Sequence, residues 1–367
     1  MPPKIVNITS QSKINLVKLY KSILIMLLIC GFDFNVWKFK LLLRICVTLY
    51  CIFLITVNII TNFTCCPGQE FPVAWSVVEY TATVILTLVF KNQIANYFKK
   101  LTDLDTYLRI GNKYYINYKT KIFFYTFVLW SIRFIYTILY WIWFPYYENV
   151  TLFVISQFSL IALDLNRVWR FVLFDMTRYR LKMLRRRVEE LKNHNFFCYV
   201  SNYKTLKQTR IRFCLHLYKS LADAVDVIMP ELHASLFISI VCTLPKLIMN
   251  AYHILLVIEH LEPYPTVGFT ALHVTQVTLF IFAPCVVVEL YAVEVERMRL
   301  LLLHKLFDDP DETVKEDVNL FLRYTEVRPF RFYLWRVLPI SIMLPLELLN
   351  LCTTYVIVLI NFTHLYG

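Results

Sequence analysis

Five polar residues in the last apolar segment of the chain are spaced so that they could contact ions. Read as a helix, this segment places Glu347, Asn350, Thr354, Asn361 and His364 at successive steps of 3, 4, 7 and 3 residues. At 3.6 residues per turn, these positions share about a third of the helix circumference. The rest of the segment is almost entirely apolar, which predicts a membrane helix with one wet face. Such a face suits the conduction of ions.

Other kinds of chemistry find no support in the sequence. The eight histidines are isolated, and there is no His-Glu-x-x-His, glycine-rich phosphate loop or Gly-x-Ser-x-Gly motif. The acidic residues 308–312 are better explained by helix capping than by metal binding. We therefore expect no enzymatic activity, no metal and no cofactor.

The composition indicates an integral membrane protein. Of 367 residues, 58% are hydrophobic and only 17% are charged, against about 25% charged in soluble domains. Only five residues are glycine, which counts against a transporter built from broken helices and close small-residue packing. The net charge of +12 lies in segments between apolar stretches, so it indicates membrane topology and no nucleic-acid partner.

The apolar stretches predict an all-α membrane protein with seven transmembrane helices. A bilayer crossing needs about 20 residues. The predicted spans are 41–63, 73–90, 122–144, 150–176, 232–260, 266–292 and 336–364. A shorter apolar run, 22–32, is interpreted as an interfacial or re-entrant helix before the first span.

The basic residues predict which way the spans run. One set of connecting segments carries 34 of the 38 lysines and arginines, whereas the opposite loops, 64–72, 145–149 and 261–265, carry none. Basic loops stay in the cytoplasm, so the amino terminus is predicted to be cytoplasmic and the carboxyl terminus extracellular. This is the inverse of a G-protein-coupled receptor. Glycosylation sequons at Asn62 and Asn149 fall in the predicted outer loops, although both are very close to the membrane.

These assignments divide the chain into six segments. Residues 1–40 form a cytoplasmic segment with the interfacial helix, and 41–176 hold the first four spans. Residues 177–230 form a cytoplasmic helical extension, and 231–296 hold spans five and six. Residues 297–335 form cytoplasmic anchor helices, and 336–367 the seventh span.

The anchor region contains a predicted helix start and an apolar face. Asp309 is predicted to cap a helix that has Pro310 in its first position and ends before Pro329. The face formed by Val314, Val318, Phe321 and Leu322 has to be buried. We expect contacts between subunits to bury it.

The last span carries a motif that resembles a known family. Residues 354–362 read Thr-Tyr, five hydrophobic residues, then Asn-Phe, and this is similar to the Thr-Tyr, five hydrophobic residues, Gln-Phe signature of insect gustatory receptors. Asn361 stands where the family has Gln, which keeps the amide but shortens it by one methylene. Before about residue 230 the resemblance is one of architecture only.

The resemblance implies a tetrameric, ligand-gated cation channel in the plasma membrane of a sensory dendrite. The last span would line the pore, with the closed constriction at Asn361 and Phe362 and a dry segment at Ile357 and Val358. Glu347 either faces the ions or is a half-buried acid bonded to a neighbouring helix. Outer-loop acids form either a negative vestibule or ordinary solvated loops.

Ligand candidates lie in the predicted outer halves of spans two to six. They are aromatic or polar groups of the kind that orient a small molecule in an apolar pocket, or else they serve packing. They are Glu79, Tyr80, Thr83, Thr137, Trp141, Gln157, Asn250, His253, His273 and Gln276.

Charged residues inside the predicted spans form a separate group. Asp164 and Arg167 are three residues apart on one helix and are expected to pair. Lys246 has no local partner and is predicted to meet a carboxylate such as Asp164 on another helix.

The sequence thus favours a chemosensory channel for a small tastant, with bitter plant compounds ahead of sugars. It would assemble as a homotetramer or as a heterotetramer with related receptors. A membrane transporter and an olfactory-type channel subunit are the alternatives.

Overall fold

The computed structural model describes residues 16–35, 41–65, 70–108, 110, 112–143, 150–193, 203–258, 265–334 and 338–366. Almost all of this is helical. The helices are α1 Leu16–Leu19, α2 Lys21–Ile29, α3 Leu41–Cys65, α4 Glu70–Val89, α5 Lys91–Leu108, α6 Asn112–Trp143, α7 Val150–Asn193, α8 Tyr203–Ile258, α9 Pro265–Asp308, α10 Glu312–Val327 and α11 Met343–Tyr366. Between α10 and α11, strands β1 (Tyr333–Leu334) and β2 (Leu338–Pro339) form a short antiparallel pair.

Several helices are long and apolar enough to cross a bilayer. Within the described residues, four meet this condition, in α3, α6, α8 and α9. The pair α4 and α5, bent by 60° at its junction, meets it as a unit, and α11 has a shorter apolar stretch, Met343–Val358. Helix α7, which contains the fourth predicted span, carries Asp164, Arg167 and Arg170 in the middle of that span.

Three helices extend well beyond the length of a membrane crossing. Helices α7 and α9 have 44 residues each, and α8 has 56. A helix rises 1.5 Å per residue, so α8 extends about 84 Å. It continues through Pro230 and Pro245, each of which removes one backbone hydrogen bond without ending the helix. The predicted cytoplasmic extensions are therefore direct continuations of membrane helices.

One part of the main core lies where α7 packs against α2, α5 and α6. Trp169 of α7 contacts the rings of Tyr20 and Phe98, all fully buried. A buried ion pair adds to this core: Arg180 donates to both oxygens of Asp105 at 2.8 and 2.7 Å, and Tyr115 donates to the same carboxylate at 2.5 Å. Burial alone would lower the pKa of Arg180, but the contact with Asp105 raises it above its usual value. The pair joins α5, α6 and α7.

The apolar face of α10 corrects one expectation. Val314, Val318, Phe321 and Leu322 are all buried within the chain itself, because α10 packs against α8 and α9. The inference from this face to subunit assembly was therefore wrong. The long helices of the same chain supply the apolar surface that was missing in the sequence.

The start of α10 also differs from the prediction. Asp311 is the N-cap and accepts a hydrogen bond from the backbone N–H of Thr313, whereas Asp309 directly follows α9 and donates its backbone N–H to the carbonyl of Lys305. Helix α9 continues to Asp308, which leaves too few residues for Asp309 to begin the next helix. The predicted end before Pro329 is confirmed, since α10 ends at Val327.

The short apolar run before the first span forms α2 and a turn. Leu24 and Leu27 are buried in the core, while Ile25 and Ile29 are exposed. Gly31 follows with φ +86°, a conformation that favours glycine. A side chain at this position would also meet the hydroxyl of Tyr80 at 3.1 Å.

Candidate functional site

A buried ionic network lies among the membrane helices, with Glu79 of α4 at one centre. One carboxylate oxygen, Oε1, accepts from Arg167 Nη2 at 2.6 Å and from the hydroxyl of Ser239 at 3.1 Å. The other, Oε2, accepts from Lys246 Nζ at 2.7 Å. Glu79 therefore joins α4 to α7 and α8. Lys246 pairs with Glu79, so Asp164 was the wrong choice of partner.

Asp164 of α7 is the second centre of the network. Its Oδ2 accepts from Arg133 Nε at 2.9 Å and from Gln276 Nε2 at 2.8 Å, which connects α6 and α9. Its Oδ1 lies 3.3 Å from Arg167 Nη1 on the same helix, as the three-residue spacing predicted. Arg167 thus bridges the two carboxylates, and one network joins five helices.

The charges of this network are paired inside the chain. Three cations, Arg133, Arg167 and Lys246, face two carboxylates, and all five side chains are buried. A buried charge is tolerated only when it is paired and hydrogen-bonded. Removing one member of such a pair typically costs about 3–5 kcal/mol. The network consequently fixes how the five helices sit against one another.

Four of the predicted ligand residues lie in or beside this network. Glu79 and Gln276 belong to it, while His273 of α9 lies one turn from Gln276 and has its ring 6.0 Å from that of Tyr136. Gln157 lies two turns from Asp164 on α7. Polar atoms without a partner remain at Gln157 Oε1, His273 Nδ1 and Gln276 Oε1. These three atoms are buried and form no hydrogen bond with a described residue.

The remaining predicted ligand residues are placed differently. Tyr80 donates to the carbonyl of Cys30 at 2.9 Å, away from the network, and Thr83 donates to the carbonyl of Glu79 at 2.6 Å. Thr137 donates to the carbonyl of Arg133 at 2.8 Å. Asn250 and His253 are half-buried on α8. Trp141 is in α6, but its side chain is outside the described residues.

The polar stripe of α11 faces away from its own chain. Helix α11 packs on α8 and α9 through Leu344, Cys352 and Val356, which are buried. At about 100° per residue, Glu347, Asn350, Thr354 and Asn361 point to the opposite side of the helix, and all four are exposed. The side chain of His364 lies outside the described residues.

Of the residues predicted to form the gate, Ile357 and Val358 lie on the same open side as the stripe. Ile357 and Val358 are 53% and 42% exposed. Phe362 is in the helix, but its side chain is not described. Glu347 forms no hydrogen bond or ion pair with any described residue of its chain, so the described residues do not support the alternative in which it bonds a neighbouring helix.

A small apolar cluster connects the network to α11. Leu247 follows Lys246, Val277 follows Gln276, and both pack with Cys352. The cluster therefore places α8 and α9, one residue beyond the network, in direct packing contact with α11.

Some predicted features fall outside the described residues. Asn149 and the acids Glu148 and Glu262 lie there, while Asn62 is in α3 with its side chain not described. Within the described part of the chain, no cluster of histidine, cysteine, aspartate or glutamate has the arrangement of a metal site.

Two residues near the network were missed in the sequence. Ser239 is two helical turns before Lys246, and Arg170 is three residues after Arg167. The helical period places each on the face of its charged neighbour, and this periodicity was the signal that could have found them.

Comparisons with known proteins agree with the architecture. A family model described as 7tm chemosensory receptor matches residues 75–365. The structure is similar to that of the insect olfactory receptor OR5 from Machilis hrabei, with a TM-score of 0.61 and 16% identity over 94% of this chain and 98% of that chain. The complex of that receptor with eugenol matches with a TM-score of 0.55 and 14% identity, over 95% and 98% of the chains. No curated protein matches the sequence significantly. The structural likeness shows a shared seven-helix membrane fold.

Proposed function

The chain belongs to the 7tm chemosensory receptor family, and we propose that it is a gustatory receptor acting as a ligand-gated, non-selective cation channel. The observation that carries this proposal is the polar stripe of α11, which lies opposite the face that packs on its own chain. Polar side chains at membrane depth need water or another protein. Glu347 on this stripe has no partner among the described residues of its own chain.

Four copies of the chain around a central axis would give the polar side chains of the stripe a water-filled pore to face. Each α11 would turn Glu347, Asn350, Thr354 and Asn361 toward a central pore, where a ring of acids favours cations. Ile357, Val358 and Phe362 would form the apolar constriction that closes the pore by excluding water. The assembly would be a homotetramer or a heterotetramer with related receptors, in the plasma membrane of a sensory dendrite.

The ligand would bind among the helices that the ionic network holds together. Gln157, His273 and Gln276 keep polar atoms without a partner there. A small molecule with an apolar body and a hydrogen-bonding group suits such a place, which supports a bitter plant compound. Ligand binding would shift α8 and α9, and the cluster of Leu247, Val277 and Cys352 would carry the shift to α11.

An olfactory-type channel subunit is the second candidate. The likeness to the olfactory receptor of Machilis hrabei favours it, whereas the Thr-Tyr motif at 354–355 and the amide-Phe pair at 361–362 favour the gustatory assignment. The two candidates share the channel mechanism and differ in the ligand.

Whole-cell recording from cells that express only this chain tests the proposal. The panel would contain bitter plant compounds, sugars and volatile phenols such as eugenol. We expect a ligand-evoked cation current that persists when G-protein signalling is blocked. Saturable uptake without unitary conductance would indicate a transporter and overturn the channel. A response confined to volatile compounds would replace the gustatory assignment with the olfactory one.

A further inference from the structure

A small cavity lies beside the ionic network, at the start of α11. Its volume is about 20 Å³. Its polar lining comes from Arg167, Arg170 and Ser239, and no carboxylate lines it. The other walls are apolar and come from α8, α9, the β1–β2 pair and the first turn of α11, through residues such as Pro284, Ile340 and Leu344.

The two arginines that line this cavity are in different situations. Arg167 is held by two carboxylates, at 2.6 Å from Glu79 and 3.3 Å from Asp164. Arg170 is only 4% exposed, and its Nη1 donates to the carbonyl of Ser235 at 2.8 Å. Its Nε has no partner, and it forms no ion pair with a described residue.

A further buried acid on α8 does not form an ion pair with Arg170 either. Glu231 lies one turn before Ser235 on α8 and is also buried, but its Oε2 has no hydrogen-bond partner and it makes no ion pair with Arg170. A buried guanidinium held by one neutral hydrogen bond is costly unless a counter-charge is present. Even with Glu231 counted, the buried cations of this region, Arg133, Arg167, Arg170 and Lys246, outnumber its buried carboxylates, Glu79, Asp164 and Glu231, by one.

We infer that the cavity binds a small monatomic anion, of which chloride is the abundant example, with Arg170 as its main ligand. The volume selects this class, because about 20 Å³ holds a water-sized particle. Since Ser239 already donates its hydroxyl proton to Glu79, the anion is held by the guanidinium and the apolar walls.

The position of the cavity gives the anion a structural consequence. Leu344 in the first turn of α11 and Ile340 just before it form one wall, and Arg170 of α7 forms another. A bound anion therefore fills the space between the network helices and the base of α11. It stabilises the packing of α11 on its own chain.

The test is thermal unfolding of the full-length purified protein in lipid nanodiscs. Sodium chloride is exchanged for sodium gluconate at constant ionic strength, since gluconate is too large for the cavity. We expect chloride to raise the unfolding temperature by about 2–4 °C with a saturable dependence on its concentration. An identical unfolding temperature in the two salts would show that the cavity holds water only and would overturn the site.

Variants assign the effect to Arg170. Arg170→Gln should abolish the difference between chloride and gluconate, while the exposed Arg331→Gln should keep it. Leu344→Phe fills the cavity and leaves Arg170 in place, so it should also abolish the difference and serves if Arg170→Gln does not fold. An undiminished chloride effect in either of the two site variants would place the anion elsewhere and refute the proposal.

Discussion

The ionic network and the stripe of α11 both place polar groups in membrane helices, but they are satisfied in different ways. Glu79 and Asp164 are buried and accept hydrogen bonds from cations on other helices of the same chain. Glu347, on α11, is exposed and has no partner among the described residues. The comparison separates polar groups that hold the chain together from polar groups that face water or another subunit.

This difference leads to opposite expectations for the same substitution. A change in the network disturbs a buried charge balance and should act on stability. A change in the stripe leaves the packing of the chain intact and should act on conduction. The two regions can therefore be separated by measuring unfolding and current on the same set of variants.

The largest expected effect is that of Glu79→Gln on stability. The substitution leaves Lys246 without a carboxylate and leaves Arg167 with only its 3.3 Å contact to Asp164, which should cost about 3–5 kcal/mol. We expect a clearly lower unfolding temperature in nanodiscs and a smaller fraction of the protein at the cell surface. Glu347→Gln is the matched control: it should unfold like the parent protein and yet shift the reversal potential toward lower cation selectivity.

Two results would contradict this distinction between the network and the stripe. If Glu79→Gln and Glu347→Gln lower the unfolding temperature equally, the stripe is packed in the same way as the network. If neither does, the network contributes no net stability. Lys246→Met combined with Glu79→Gln should recover part of the loss, because the double variant removes one buried cation together with its partner.

The apolar face of α10 offers a test of whether its contacts lie within one chain or between chains. Phe321 is fully buried, so Phe321→Ala should cost about 3–5 kcal/mol. Phe307→Ala is the matched control, since Phe307 is 82% exposed. We expect Phe321→Ala to lower the unfolding temperature with no selective loss of the oligomer in size-exclusion chromatography with light scattering. Dissociation of folded subunits would mean that this face contacts another chain.

A substitution at the predicted gate should have a smaller effect, and it should change the current without changing stability. Phe362→Ala removes apolar surface from the predicted constriction, so water should enter more easily and the current without ligand should rise several-fold. Phe123→Ala, at an exposed position of α6, should leave the basal current unchanged. Normal surface expression with an unchanged basal current in Phe362→Ala would remove this residue from the gate.

Much of the fold could be predicted because its signals are local or one-dimensional. Apolar stretches, basic loops and the helical period are read directly from the chain, and so was the pairing of Asp164 with Arg167. The family motif at 354–362 added the place of α11 in the architecture. These signals do not depend on which helices are neighbours.

The parts that could not be predicted all depend on neighbours. Lys246 meets Glu79 across 167 residues of chain, and no spacing rule favours that carboxylate over Asp164. The face of α10 is covered by α8 and α9, whose extensions provide an apolar surface that only the packed structure reveals. The N-cap of α10 is Asp311 and not the predicted Asp309, because α9 continues further along the chain than the local pattern indicated.

The central claim is that the α11 stripe lines a water-filled pore, and cysteine accessibility tests it most directly. Thr354→Cys places a thiol on the stripe, whereas the native Cys352 lies on the buried face of the same helix. A membrane-impermeant, charged thiol reagent is applied during ligand-evoked current. We predict rapid, ligand-dependent block in Thr354→Cys and no block in the parent protein. A Thr354→Cys channel that carries full current and remains unmodified would contradict the account.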